Sequence, residues 1–98
     1  RSVFIALLTI FDSKGELPSL DTLNKVMSKL LDSIKACLRR GDVVSKYSGA
    51  QFVIMLSNLT YDDGVMVMDR IVNHYYKNNK KSILQLKYKL AQLKAYSD

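Results

Sequence analysis

Apolar positions fall along this chain with two different periods. Val3 to Phe11 (VFIALLTIF) is a nearly unbroken run rich in Val, Ile and Phe. Such a run suits a strand covered on both faces. Asp12-Ser13-Lys14-Gly15 breaks it, and Pro18-Ser19 supplies a helix start. From Leu20 the apolar positions are Leu23, Val26, Met27, Leu30, Leu31, Ile34 and Leu38. Their spacing of three and four is a helical stripe. Ser19 reads as the N-cap, and Arg39-Arg40-Gly41 as the C-terminal signal of that helix.

Val43 to Tyr47 and Gln51 to Leu56 are short runs of strand formers joined by Ser48-Gly49-Ala50, a hairpin pattern. Thr60 followed by Asp63 resembles a capping box for a second helix. Val65, Met68, Ile71, Val72 and Tyr75 form its expected buried stripe, and Met66 and Val67 could face a partner. Lys77-Asn78-Asn79-Lys80-Lys81 reads as a polar loop. Leu84, Leu86, Tyr88 and Leu90 then alternate with Gln85, Lys87 and Lys89, as in a strand. A helical template through Ile83, Leu86, Leu90 and Leu93 competes for the same residues. The order β-α-β-β-α-β predicts an α+β fold with a palm-like or ferredoxin-like core. It predicts a mixed sheet with both helices packed mainly on one face.

With 98 residues, 48% hydrophobic and 24% charged, the chain has the size and composition of one globular domain. No apolar run reaches the length of about 18 residues that marks a membrane span. A single cysteine, Cys37, excludes an internal disulfide and a cysteine-based zinc site. Cys37 falls on the apolar side of its helix, where a small buried hydrophobe is expected. A single histidine, His74, gives little from which to build a metal site or a Ser-His-Asp triad. Near a helix C-terminus it suits the dipole. Met27, Met55, Met66 and Met68 read mainly as core filler. The first residue is Arg1 and no signal-peptide pattern follows, so residues 1–98 are expected to be one domain excised from a larger cytoplasmic protein.

The formal charge of +6 is concentrated late, at Lys77, Lys80, Lys81, Lys87, Lys89 and Lys94, with no acid until Asp98. A basic face attracts nucleic acid or nucleotides, and Tyr75-Tyr76 beside these lysines could stack bases. The favoured alternative is a solvated loop and a lysine-protected edge strand, with the tyrosines packing and their hydroxyls wet.

The stretch from Arg39 to Leu56 (RRGDVVSKYSGAQFVIML) resembles the centre of GGDEF domains, the diguanylate cyclase family, whose pattern reads R-x-x-D-x-x-x-R-Y-G-G-D-E-F-x-x-x-L. Arg39, Asp42, Tyr47, Gly49, Phe52 and Leu56 match, and Lys46 replaces the arginine. The helices on either side fit, so the resemblance covers most of the chain and implies the same β-α-β-β-α-β core. Ser57 to Ile71 is also similar to degenerate domains attached to bacterial transcriptional activators.

The departures lie at the chemistry. The signature hairpin is Ser48-Gly49-Ala50-Gln51-Phe52. In the family its third position is an acid that helps hold metal ions, and here it is Ala50. The fourth is Glu, and here Gln51 keeps the shape without the charge. Ser48 replaces a glycine that lets backbone approach the nucleotide. The family's first strand ends in Asp-x-Asp. The corresponding Thr9-Ile10-Phe11-Asp12 offers, depending on register, no carboxylate or Asp12 alone. The guanine-recognition pattern is missing from Ser13 to Leu20. Phosphoryl transfer of this kind needs divalent metal on carboxylate oxygen. No catalytic residue, metal or cofactor is therefore expected, and the chain is not expected to be an enzyme.

Arg39-x-x-Asp42 stands five residues ahead of the hairpin, the spacing of the family's inhibitory site for cyclic di-GMP. An arginine fork holds phosphate or a guanine edge, and a carboxylate accepts from guanine N–H groups. The plainer reading pairs the two residues with each other at a helix end. The expectation is a non-catalytic regulatory or protein-interaction module of a bacterial signalling or transcription-regulatory protein. Its partners would be other domains of the same polypeptide, a protein partner or a second copy. The alternative is a cyclic di-GMP or GTP receptor without turnover, using Arg39 and Asp42. A third reading is nucleic-acid binding through the basic tail. No membrane partner is expected, and no helix-turn-helix offers direct DNA contact.

Overall fold

A computed structural model of the chain describes residues 2–94. Arg1 and Asp98, which enter the sequence reading, lie outside them. The elements are β1 (Val3–Phe11), α1 (Leu20–Cys37), β2 (Val43–Ser48), β3 (Gln51–Ser57), α2 (Tyr61–Asn78) and β4 (Gln85–Leu93). The four strands form one sheet in the order β2-β3-β1-β4. This is the α+β palm-like core expected from the periodicity. The sheet is antiparallel at every neighbouring pair, where a mixed sheet was expected. The reason is topological. α1 carries the chain from β1 to a parallel β2, but β3 folds back into the gap between them. α2 likewise carries the chain from β3 past β1 to β4.

Alternation along β1 sorts its side chains. Phe4, Ala6, Leu8 and Ile10 are buried under the helices, with Phe52, Ile54 and Leu56 beside them on β3. Leu30 and Ile34 of α1 and Met68, Ile71 and Tyr75 of α2 close this core. Both N-caps form as read. Ser19 Oγ accepts the Thr22 N–H at 3.2 Å, and Thr60 Oγ1 accepts the Asp63 N–H at 3.1 Å. Between the helices, His74 Nδ1 and the buried Ser33 hydroxyl share a hydrogen bond of 2.8 Å. The histidine thus joins α2 to α1, a role that its position near a helix end did not reveal.

Several local expectations change. α1 ends at Cys37 with Leu38 as its cap, and Arg39 to Asp42 form a separate turn in which Gly41 takes φ 92°. The buried stripe of α2 is Gly64, Val67, Met68, Ile71 and Tyr75. Val67 therefore enters the core rather than facing a partner, and Val65 is only half-buried. Gly64 explains the rotation. A Cβ there would stand 2.9 Å from Leu90 Cδ2, so α2 approaches β4 along its glycine. Lys77 and Asn78 remain helical. Residues 85–93 are strand and not helix. Met27 and Met68 fill the core, whereas Met55 and Met66 are exposed. Tyr75 is buried with its hydroxyl on Ser82 Oγ. Tyr76 donates to the Leu84 carbonyl and accepts from the Leu86 N–H. Neither hydroxyl is left to water alone, and the Tyr75 ring has no free face for a base. No described helix is long and apolar enough to cross a membrane.

Ile54 and Met55 are neighbours on opposite faces of β3, at 0% and 38% exposure. Ile54→Ala is expected to cost about 2–4 kcal/mol of unfolding free energy. Met55→Ala is expected to cost well under about 1 kcal/mol. Urea melts of the two variants check the face assignment.

Candidate functional site

The signature hairpin turns through Gly49 and Ala50, with Ser48 opposite Gln51. Gly49 is not in the left-handed region, and a Cβ there would meet only Leu23 Cδ1, at 4.0 Å. Phe52 drops into the core and Ala50 is buried at the tip. The Ala50 carbonyl accepts the Ile10 N–H at 3.0 Å, tying the tip to β1.

The register answers which residue of β1 faces the hairpin. Thr9 stands opposite Gln51. Ser48 Oγ donates to Gln51 Oε1 at 2.8 Å, and Gln51 Nε2 donates to Thr9 Oγ1 at 3.1 Å. Three neutral side chains thus satisfy one another across the hairpin and β1. Asp12 lies beyond the strand. Its Oδ1 accepts the N–H groups of Lys14 and Glu16, both at 2.9 Å, and so shapes the loop after β1. Among the described residues, no group of three His, Cys, Asp or Glu side chains comes together as a metal ligand set.

Beside the hairpin is a cleft of about 770 Å³. Leu7, Phe11, Leu17 and Leu23 give it apolar walls, and Thr9, Ser48 and Gln51 give it a polar corner. Lys87 and Lys89 edge it from β4, and Lys87 Nζ lies 5.5 Å from the centre of the Phe11 ring. A cleft of about 790 Å³ lies where the end of α2 meets the start of α1, and it contains Lys29, Lys80 and Lys81 but none of the hairpin residues.

Arg39 and Asp42 form a closed cluster elsewhere. Arg39 Nε and Nη2 donate to the two carboxylate oxygens of Asp42, each at 2.9 Å. The backbone N–H of Arg39 donates to the same carboxylate, at 2.9 Å, and the Ser57 N–H reaches it at 3.3 Å. Arg39 Nη2 also donates to the Ser57 carbonyl at 2.7 Å. The pair therefore staples the turn after α1 to the end of β3. The Asp42 side chain is fully covered, while that of Arg39 is 38% exposed. Burial pushes the Asp42 carboxyl up, but the Arg39 and Ser57 donors outweigh it and hold the group below its ordinary value. The same bond to Asp42 raises the Arg39 guanidinium further.

The hairpin tip and this staple occupy opposite ends of β3, roughly 20 Å apart at strand rise. The structure thus brings Thr9 to Ser48, Ala50 and Gln51, and leaves Arg39 and Asp42 outside that group. Thr9 and Ser57 were missed as partners. Strand pairing was the signal for Thr9, because its alternation in β1 puts it on the face of Gln51. Nothing local in the sequence marks the Ser57 backbone.

The family model described as "Diguanylate cyclase, GGDEF domain" matches residues 20–92. No curated protein matches the chain. Among solved structures, a diguanylate cyclase, SiaD from Pseudomonas aeruginosa, in complex with its activator SiaC, superposes with a TM-score of 0.75 at 14% identity. That match covers 99% of this chain and 40% of the other. The GGDEF domain of PA1120 (YfiN or TpbB), from the same organism, also gives 0.75, at 18% identity, over 93% of this chain and 62% of the other. A Thermotoga maritima DGC protein gives 0.68 at 21% identity, over 91% and 63%. The chain therefore spans under two thirds of each of these relatives, and the likenesses establish the shared fold.

Asp42→Asn removes the charge from the staple and is expected to destabilise the fold by about 1–3 kcal/mol at neutral pH. Exposure of Arg39 favours the lower end of that range. The folded carboxyl lies below its ordinary 3.8, so its contribution is complete above that value and is lost as pH falls through the folded pKa. Urea melts from pH 7 down to 2 should show the gap between wild type and variant closing only below about pH 4.

Proposed function

The chain belongs to the GGDEF domain family, and from that premise we propose that it is a non-catalytic member. It serves as a regulatory and protein-interaction module of a bacterial signalling or transcription-regulatory protein in the cytoplasm. The observation that carries this reading is the Ser48–Gln51–Thr9 chain of hydrogen bonds. Transfer of a phosphoryl or nucleotidyl group needs carboxylate oxygens that hold divalent metal against the phosphates. At this hairpin the facing side chains are neutral and hydrogen-bonded to one another. Ala50 has no ligand atom, and Asp12 is engaged by backbone donors three residues past Thr9. A carbonyl or hydroxyl can occupy one coordination position of magnesium, but a set without carboxylate leaves its charge uncompensated.

A protein partner is the second half of the reading. The Pseudomonas aeruginosa cyclase bound to its activator is a precedent for a chain of this fold meeting a protein. The sequence from Ser57 to Ile71 and its similarity to domains of transcriptional activators motivate the host assignment.

The receptor alternative has one observation in its favour. Arg39 keeps a third of its side chain open to solvent, so its guanidinium is reachable by a phosphate. Against it, Asp42 is covered and its oxygens are held by Arg39 and Ser57. A guanine could use that carboxylate only by breaking the staple.

The chain incubated with GTP and magnesium is expected to yield no cyclic dinucleotide by chromatography, and appearance of that product overturns the non-catalytic reading. Calorimetric titration with cyclic di-GMP is expected to give no saturable heat. Saturable heat that disappears in Arg39→Ala would instead establish the receptor.

A further inference from the structure

The sheet has helices on one face. On its other face, Ile5 and Leu7 of β1 stand beside Met55 and Val53 of β3, paired directly across the strands. These four side chains make an apolar patch at the centre of the sheet. Val43 extends it onto β2 opposite Met55, at 55% exposure. On the β4 side, Ala91 and Leu93 continue the apolar surface opposite Ile5 and Val3, and the border then turns basic, with Lys89 opposite Leu7 and Lys87 opposite Thr9. None of the four strands contains an acidic residue. The described acids lie in loops and helices, which leaves lysine as the charged residue type of the strands.

We propose that this open face is a docking surface for a partner protein's amphipathic helix, with its apolar stripe on the patch and Asp or Glu residues along the border that meets Lys87 and Lys89. The inference rests on the protein-interaction reading and deepens it. Size and charge both select this occupant. The nine residues of β1 extend about 30 Å, which is the length of a helix of about 20 residues. α1 and α2, each of 18 residues, already cover the opposite face. A helix about 10–12 Å wide laid over β1 and β3 has β4 along one flank, so its acids are needed on that flank alone. A second copy of the chain is a poor occupant, since face-to-face stacking brings the lysines to a surface with no acid. A nucleic acid would satisfy the lysines and leave the apolar patch unmatched.

The test uses the 98-residue chain and two fluorescent 18-residue peptides that share a leucine stripe. One carries Glu beside the stripe and the other carries Lys. Anisotropy is expected to show saturable binding of the Glu peptide, on the order of tenfold tighter than the Lys peptide. Lys87→Glu combined with Lys89→Glu, both exposed positions, is expected to reverse that preference while the circular dichroism spectrum stays unchanged. Val53→Glu is expected to weaken both peptides. Equal affinities, no binding, or a preference unmoved by the charge reversal would overturn the proposal. So would capture of the chain by phosphatidylglycerol vesicles in place of the Glu peptide. Peptide failure without nucleotide turnover removes the docking face alone, whereas turnover of GTP removes the interaction-module reading itself.

Discussion

β1 has a hydrogen-bonded neighbour on each side and apolar side chains on each face, and the remaining elements are disposed around it. A strand of this kind cannot be an edge and cannot leave its backbone unpaired away from water. Its two partners, β3 and β4, come from distant parts of the sequence. α1 and α2 are the connections that bring them there, and both cross the same face. That arrangement buries one side of β1 completely. It leaves the other side with Ile5 and Leu7 only partly covered, which makes the apolar sequence of β1 richer than this fold alone requires.

The hairpin is held to β1 by neutral side chains and one backbone bond. Acidic side chains grouped around metal repel one another when the metal is lost. Thr9, Ser48 and Gln51 carry no charge and form a run of donor-to-acceptor contacts instead. Ala50 buries its methyl where an acid would need solvent or an ion. The backbone bond from Ile10 to Ala50 keeps the tip against β1. Arg39 and Asp42 are the residue types that the family resemblance assigns to a ligand site, and in this structure they join the turn after α1 to β3. Identical side chains can serve either purpose, and what distinguishes them here is that the Asp42 carboxylate is covered.

Much of the fold was legible because long periodic segments constrain themselves. The continuous apolar run set both limits of β1, and Ser19 and Thr60 marked both helix starts through local capping chemistry. The family resemblance located the hairpin, and the match over residues 20–92 agrees. What failed was information that is not local. Whether neighbouring strands run parallel depends on where β3 folds back, which no single segment encodes. The rotation of α2 depends on Gly64 meeting Leu90 across the sheet, so periodicity alone placed Val67 on the wrong side. The packing of Tyr75 and Tyr76 was legible, but their hydroxyl partners, Ser82, Leu84 and Leu86, lie beyond a turn that no local pattern encodes. The Gln51 to Thr9 contact spans 42 residues and needed the register of two strands before it could be seen.

The pairing of Val3 with Leu93 has a mechanical meaning. β1 and β4 are antiparallel neighbours, so the start of β1 and the end of β4 emerge side by side at one end of the sheet. Tension applied through those two ends does not shear the ladder between β1 and β4. It opens that ladder from Val3 and Leu93 inward, and the hydrogen bonds break in sequence rather than together. This geometry transmits a pull on one end directly to the strand beside it.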